Sequence, residues 1–384
     1  MLRQLKRLLS KQEYQTLNLI EVSQKALTNN FNYFQKNNPG QKITPVVKSN
    51  AYGHGLTLVA QFIDNHLKVP FITVDSLYEA YELRKAGIKT KPLLIGYTNP
   101  ENFKIGPLID YCLPVYDLVS ARIIAQFQPR AEVHLKIDSG MNRLGIQLQQ
   151  ARQLARKLKK INNLKITGIY SHLSQSAELN KVFTQKQVGT FKEAIKIFEQ
   201  EGYNFRWKHV SATSGTKIVN DKDFNLIRLG LGFYGLSPFP INSAETTILN
   251  KNLTPALKLT SHLAAIKTVP AGAEIGYGGT LVTKRKTKLG ILPLGYYEGI
   301  DRRLSNQGVV EVNNTLCPII GRVCMNLTII DLTDAGETKI GNPVVVYSNK
   351  TDRPNSLVNL ADQANTIPYA LLVNLAESIR RQLV

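Results

Sequence analysis

Eight short β-favouring runs recur between residues 43 and 236, at 43–48, 70–75, 92–97, 111–116, 132–138, 165–172, 206–212 and 226–235. Several are separated by segments whose apolar residues return every three or four positions: Ser76 to Ala86, Leu118 to Phe127, Gln147 to Lys160 and Phe183 to Glu201. That spacing is helical, so the chain alternates strand and helix. Eight strand–helix units predict an α/β fold, a (β/α)8 TIM-type barrel, in which reacting groups project from the C-terminal ends of the strands. A doubly wound open sheet is the competing arrangement, but no Gly-x-Gly-x-x-Gly follows the first run. From about Lys251 the pattern changes to short alternating strands parted by Pro270-Ala271-Gly272, Asn313-Asn314 and Gly341-Asn342-Pro343, which predicts an antiparallel β domain. A last segment, Ser356 to Arg380, reads as helical on either side of Pro368. The expected division is a barrel over 15–245 and a C-terminal, mainly antiparallel β domain over 246–384, which residues 1–14 can join.

A chain of 384 residues is long enough for a barrel and a smaller second domain. Hydrophobic content of 43% and charged content of 20% suit a soluble globular protein, and no apolar run approaches the length of a membrane span. The start, Met1 to Lys11, scatters basic residues among leucines and lacks the layout of a secretory signal. It reads as a frayed basic extension, with an amphipathic surface-binding helix as the alternative. Cys112, Cys317 and Cys324 are too few for a disulfide framework, and a reducing cytoplasm fits. The net charge of +20 raises nucleic acid as a rival partner. The basic residues are nevertheless spread along the chain, and no nucleic-acid motif accompanies them. The six histidines show no His-Glu-x-x-His pairing and no Cys-x-x-Cys is present, so no metal is expected.

Chemistry is concentrated first in Pro45-Val46-Val47-Lys48-Ser49-Asn50-Ala51-Tyr52-Gly53-His54-Gly55. A lysine ending a buried strand sits where low dielectric and cationic neighbours can lower its pKa, and a neutral amine can form a Schiff base with a carbonyl cofactor. The glycines after it allow close backbone approach. A snorkelling lysine at a strand end is the bland alternative.

The string from Val46 to Gly55 closely resembles the lysine motif of fold-type III, pyridoxal 5'-phosphate (PLP)-dependent alanine racemases, differing from it at Ser49. The resemblance runs in order from about residue 15 to 380. It implies interconversion of L- and D-alanine for peptidoglycan by two bases flanking Cα, Lys48 and Tyr277, the latter in Glu274-Ile275-Gly276-Tyr277-Gly278-Gly279-Thr280. By resemblance, Arg228 faces the pyridine nitrogen of the cofactor. Its guanidinium cannot leave a proton there, which limits electron withdrawal and favours prompt reprotonation. His172 supports this arginine. Arg143 contacts the cofactor's phenolic oxygen and the substrate carboxylate, where a fork of donors suits both tasks. Lys136 matches a lysine that can be carbamylated and then fixes Arg143. Tyr52, Ser214, Gly230, Leu231 and Tyr369 are the implied phosphate ligands, and Met325 meets the substrate carboxylate. The family pattern Gly-Arg-Val-x-Met-Asp reads Gly321-Arg322-Val323-Cys324-Met325-Asn326 here, so an aspartate is replaced by Asn326. Tyr277 and Met325 enter the site from a partner subunit in the family, which implies a homodimer with shared sites. The alternatives are a racemase of serine, lysine or several amino acids, and a non-catalytic PLP-binding barrel.

Overall fold

The computed structural model describes residues 16–384 apart from Ile109 and Asn220. The basic start, 1–14, falls outside the described residues. The predicted barrel is present. Its strands are Lys42–Pro45, Ile72–Val74, Pro92–Leu94, Cys112–Val115, Glu132–Asp138, Lys165–Tyr170, Trp207–His209 and Leu226–Leu229, one for each of the eight runs, the first starting a residue before its run. They pair in parallel, and Lys42–Pro45 closes on Leu226–Leu229 with Arg228 opposite Thr44. The remaining seams are stitched by the Val46–Thr73 bridge and by Asn225 N–H donating to the Lys208 carbonyl at 3.0 Å. Both faces of these strands are covered, so Val74, Leu94, Leu113, Leu135, Ile169 and Ile227 are fully buried, as parallel strands require.

Three expected helices lie within a few residues of their predicted ends, at Leu77–Lys85, Leu148–Leu158 and Lys181–Gln200, and the fourth, Leu118–Phe127, coincides. Capping explains the sharp starts. Ser76 and Asp117 each accept from the third residue of their helix, and Asn180 accepts from Phe183 N–H. The helices Gln24–Asn37 and Leu56–His66 were not read from the sequence. Between the third and fourth barrel strands the only helical element among the described residues is a 3-10 turn, Pro100–Lys104.

The C-terminal part contains two antiparallel-rich sheets. One runs, in spatial order, Thr315–Pro318, Val309–Val312, Pro343–Tyr347, Leu257–His262, Leu19–Val22 and Arg380–Leu383; the other is Ala265–Val269, Thr287–Leu292 and Thr328–Asp331. Asn313 and Asn314, with φ of 49° and 64°, form the tight hairpin turn their side chains tolerate. The end of the chain leaves the helical reading early, the last helix stopping at Val373 rather than near Arg380. After helices Leu357–Gln363 and Pro368–Val373 it becomes a strand, Arg380–Leu383, parallel to Leu19–Val22. A four-residue strand beside a helical pattern carries no period of its own; its partner, more than 350 residues earlier, decides its conformation.

Candidate active site

Lys48 stands three residues past the end of strand Lys42–Pro45, at the barrel's C-terminal mouth. Ser49, Asn50, Ala51 and Tyr52 then take φ of 53°, 54°, 52° and 51°, followed by Gly53 at 79°. Such a left-handed turn costs about 1–2 kcal/mol per non-glycine residue, so it persists only where surroundings impose it. Several bonds do. Ala51 N–H donates to the Val47 carbonyl at 2.7 Å, and Leu56 N–H to Asn50 Oδ1 at 2.7 Å. Ser49 N–H donates to Glu79 Oε1 at 2.6 Å, and Arg381 Nε to the Gly53 carbonyl at 2.8 Å. A side chain at Gly53 would collide with the Leu372 carbonyl, so the close approach expected of this glycine is to the protein's own C-terminal helix. Lys48 Nζ lies 3.3 Å from Asp75 Oδ1, which adds an anion where the sequence suggested cations.

A cavity of about 720 Å³ opens at this mouth, the size of a small-molecule site. Lys48, Tyr52, Lys136, Arg143, His172, Ser214, Arg228, Gly230 and Tyr369 all line it. The structure thus gathers these sequence-predicted residues at one place, from strands, loops and a helix spread over more than 300 positions. Tyr52 and Tyr369 pack ring to ring at 5.6 Å, and a Cβ on Gly230 would sit 3.2 Å from the Tyr52 hydroxyl. Ser214 Oγ and Ser176 Oγ are 2.7 Å apart. Burial raises both tyrosines, Tyr369 to about 12, so their hydroxyls remain donors. Hydroxyls around a glycine that leaves room, a lysine and two guanidiniums form a donor set that fits a phosphorylated aldehyde such as PLP.

Arg228 is buried, and its hydrogen-bond partners among the described residues are carbonyls and imidazoles. NH2 donates to the Ser171 carbonyl at 2.7 Å, the Val210 carbonyl at 3.1 Å and His172 Nδ1 at 3.2 Å. NH1 donates to His209 Nδ1 at 2.6 Å. The tautomers follow: His209 keeps its proton on Nε2 and donates it to His134 Nδ1 at 2.9 Å. Burial, then the Arg228 charge, lowers His172 to about 3; burial lowers His134 to about 3, with Arg228 adding to it against Glu132. Burial, then Arg228, also holds His209 well below its usual value. Arg228 itself is lowered by burial to about 10 and stays charged at neutral pH. The arginine is therefore oriented by neutral rings, without a carboxylate to cancel its charge.

Arg143 is presented by a loop wrapped on one carboxylate. Asp138 Oδ1 accepts from Gly140, Met141 and Asn142 N–H at 3.0, 2.9 and 3.0 Å, and Oδ2 from Arg143 N–H at 3.0 Å. Burial, then the Arg143 and Arg228 charges, lowers the neighbouring Lys136 to about 8.

Three predicted residues do not line the cavity. Leu231 is buried just past Gly230. Tyr277 and Met325 lie in the C-terminal part, 70% and 55% exposed, on loops that meet through Arg322 and the 295–298 segment. Tyr296 and Tyr297 N–H donate to the Cys324 and Met325 carbonyls at 3.0 and 2.9 Å. Asn326 Nδ2 donates to Glu298 Oε1 at 2.8 Å, and Gly295 N–H to Oε2 at 2.8 Å.

Models of the alanine racemase N-terminal and C-terminal domains match residues 22–238 and 256–383. The chain belongs to the alanine racemase family. It is 34% identical over 376 residues to the alanine racemase of Leptospira interrogans serogroup Icterohaemorrhagiae serovar copenhageni, covering 95% of each. Identity to alanine racemase 1 of Caldanaerobacter subterraneus subsp. tengcongensis is 33% over 368 residues, 94% of this chain and 93% of the relative. Among solved structures, the Clostridium difficile 630 alanine racemase superposes with a TM-score of 0.88 at 27% identity over 97% of both chains. The Bacillus anthracis alanine racemase with bound L-Ala-P gives 0.87 at 28%, covering 97% of this chain and 96% of that one. The family resemblance and the barrel-plus-β-domain architecture read from the sequence both hold.

Sequence reasoning missed Glu79, Asp75, Asp138, His134, His209 and Arg381. Only Glu79 carries a local signal, the Ser76-x-x-Glu79 capping pattern. The six histidines read as unpaired because His134 and His209 are 75 residues apart in the chain.

Proposed function

We propose that this protein is a PLP-dependent alanine racemase that interconverts L- and D-alanine and supplies D-alanine for peptidoglycan. The observation that carries this reading is the convergence of Lys48, Arg143, Arg228, Tyr52 and Tyr369 on one cavity in a chain of this family. PLP, when bound, would supply an electron sink that acidifies the substrate Cα–H. Lys48 would hold the cofactor covalently, with hydroxyls of Tyr52, Ser214 and Tyr369 and backbone N–H groups at Gly230 and Leu231 on its phosphate. Arg228, charged and held by neutral His172 and His209, has no proton to pass to a ring nitrogen, so charge stays near Cα and reprotonation there is favoured. Arg143 would orient the substrate carboxylate, helped by the Met325 backbone. A lysine lowered to about 8 has enough neutral amine near physiological pH to add carbon dioxide, which supports carbamylation of Lys136 and pairing of the product with Arg143.

Inversion needs a base on each face of Cα. Lys48 Nζ moves the proton on one face and the Tyr277 hydroxyl on the other. Because Tyr277 and Met325 project outward from the C-terminal part of their own chain, we assign them to the partner's cavity in a homodimer. No helix among the described residues is long and apolar enough to cross a membrane, and all three cysteines are free; a cytoplasmic enzyme accords with both. We also propose a PLP-binding barrel over 15–245 and a β domain over 246–384 as the division along the sequence; strand Leu19–Val22 belongs to the first range but pairs into the sheet of the second.

The test is Cα exchange in deuterated water. PLP-loaded protein should convert L-alanine to deuterated D-alanine, followed by chiral chromatography, and Lys48→Ala should not. Retained PLP without exchange or inversion would sink the reading. Asn326, in place of the family's aspartate, makes side-chain preference worth measuring alongside, since faster inversion of serine or lysine would reassign the substrate.

A further inference from the structure

We infer that Glu79 is a positioning residue for Lys48, its carboxylate holding the left-handed turn that presents the lysine to the cavity. The inference rests on Lys48 being the PLP-binding lysine. Glu79 begins as an ordinary capping-box glutamate: Ser76 Oγ accepts its N–H at 3.2 Å, and its Oε2 accepts Ser76 N–H at 3.2 Å. Two more bonds exceed what a cap requires. Oε2 also accepts Asp75 N–H at 2.8 Å, and Oε1 accepts Ser49 N–H at 2.6 Å. Asp75 is the residue whose carboxylate meets Lys48 Nζ, and Ser49 is the residue directly after Lys48. One carboxylate therefore fixes the backbone on both sides of the Lys48–Asp75 pair.

The Ser49 bond also acts at the first left-handed position. Ser49 has φ of 53° and ψ of 56°, a conformation that its Cβ disfavours and glycine adopts without penalty. An ionised acceptor fixed by a helix start counters that preference where the turn leaves Lys48. Glutamine cannot replace it, because an amide has one acceptor oxygen and one NH2 group. Whichever way it turns, the NH2 faces either Ser49 N–H or the Asp75 and Ser76 N–H groups, donor against donor.

Purified holoenzymes are stripped of PLP and titrated with it, following the visible absorbance of the lysine-bound aldehyde. Glu79→Gln is expected to bind PLP about tenfold more weakly, the loss of charge-assisted bonds. Adding Ser49→Gly, which removes the steric preference that Glu79 opposes but keeps the backbone N–H groups that face residue 79, should recover part of the lost affinity measured against Ser49→Gly alone. Unchanged PLP affinity in Glu79→Gln, or a loss that Ser49→Gly does not relieve, overturns the inference. Glu79→Asp keeps an acid at the helix start but withdraws it from Ser49, and serves the same comparison if Glu79→Gln does not fold. Amide hydrogen exchange at Ser49, read without cofactor, should be faster in Glu79→Gln; equal exchange also overturns the inference. Wild-type protein that shows no lysine-bound absorbance would instead defeat the cofactor reading, leaving the exchange result to decide whether Glu79 holds the turn.

Discussion

Arg228 reaches the cavity without a carboxylate partner among the described residues, and the groups that orient it can do so only while uncharged. A proton on His209 Nδ1 or His172 Nδ1 would replace an acceptor with a donor and set a second cation beside the guanidinium. Burial and Arg228 therefore keep His172 and His209 neutral in the fold, and burial does the same for His134 and for His54, lowered to about 4. The sign for stability is fixed by this. Unfolded imidazoles bind protons below pH 6.5 while the folded ones do not, so the unfolded state holds more protons and stability falls as pH falls. Above pH 6.5 both states are neutral and this contribution is fully present. Carboxylates held low in the fold, Glu132 and Asp301 among them, lose their contribution only near and below their unfolded values of 4.5 and 3.8. The window from pH 6.5 to 4.5 thus belongs to the histidines. Urea midpoints should drop steadily across it, and a flat profile would contradict the neutral network.

At the scale of elements, the loops 295–298 and 322–326 are paired backbone to backbone, with Glu298 as the tie. Its two oxygens are occupied by Gly295 N–H and by the Asn326 amide, so a neutral donor is what this geometry accepts at 326. The Asn326 amide is thus tied to the glutamate three residues past Gly295. Asn326→Asp should set two carboxylates against each other and lower stability by about 1 kcal/mol, screened by solvent at this exposed site. For a chain of 384 residues that corresponds to about 1 °C in Tm. Glu298→Gln should be mild, because its Oε still accepts Gly295 N–H and the Asn326 amide can turn to meet its NH2. The double variant Asn326→Asp, Glu298→Gln should recover the loss, since the new amide on the 295–298 loop can then donate to the new carboxylate on the 322–326 loop. Additive losses in the double-mutant cycle, read by thermal unfolding, would show the two positions to be independent.

For the whole molecule, the first and last described strands lie side by side, and Arg381 in the last one reaches the carbonyl of Gly53, so the turn after Lys48 is buttressed by the C-terminal end of the chain. Tyr277 and Met325 are outward-facing, and the proposal that they complete a partner's cavity makes a prediction at this scale. Mixing tests this directly. Lys48→Ala and Tyr277→Phe homodimers should each be impaired, yet subunit exchange between them should restore activity. The mixed dimer would have one cavity with both Lys48 and Tyr277 and one with neither. No recovery after verified exchange would put both bases on the same chain. By itself, the sequence determined the alternation of strand and helix, the change of texture near Lys251, and the local strings around Lys48, Arg143, Arg228 and Tyr277, because periodicity and turn chemistry act over a few residues. The closed barrel was needed for the rest. It brings His134 to His209 and Glu79 to Ser49, while the pairing of Arg380–Leu383 with Leu19–Val22 brings Arg381 to Gly53. Contacts between groups tens or hundreds of residues apart exist only once the chain has closed on itself, so no local pattern can carry them.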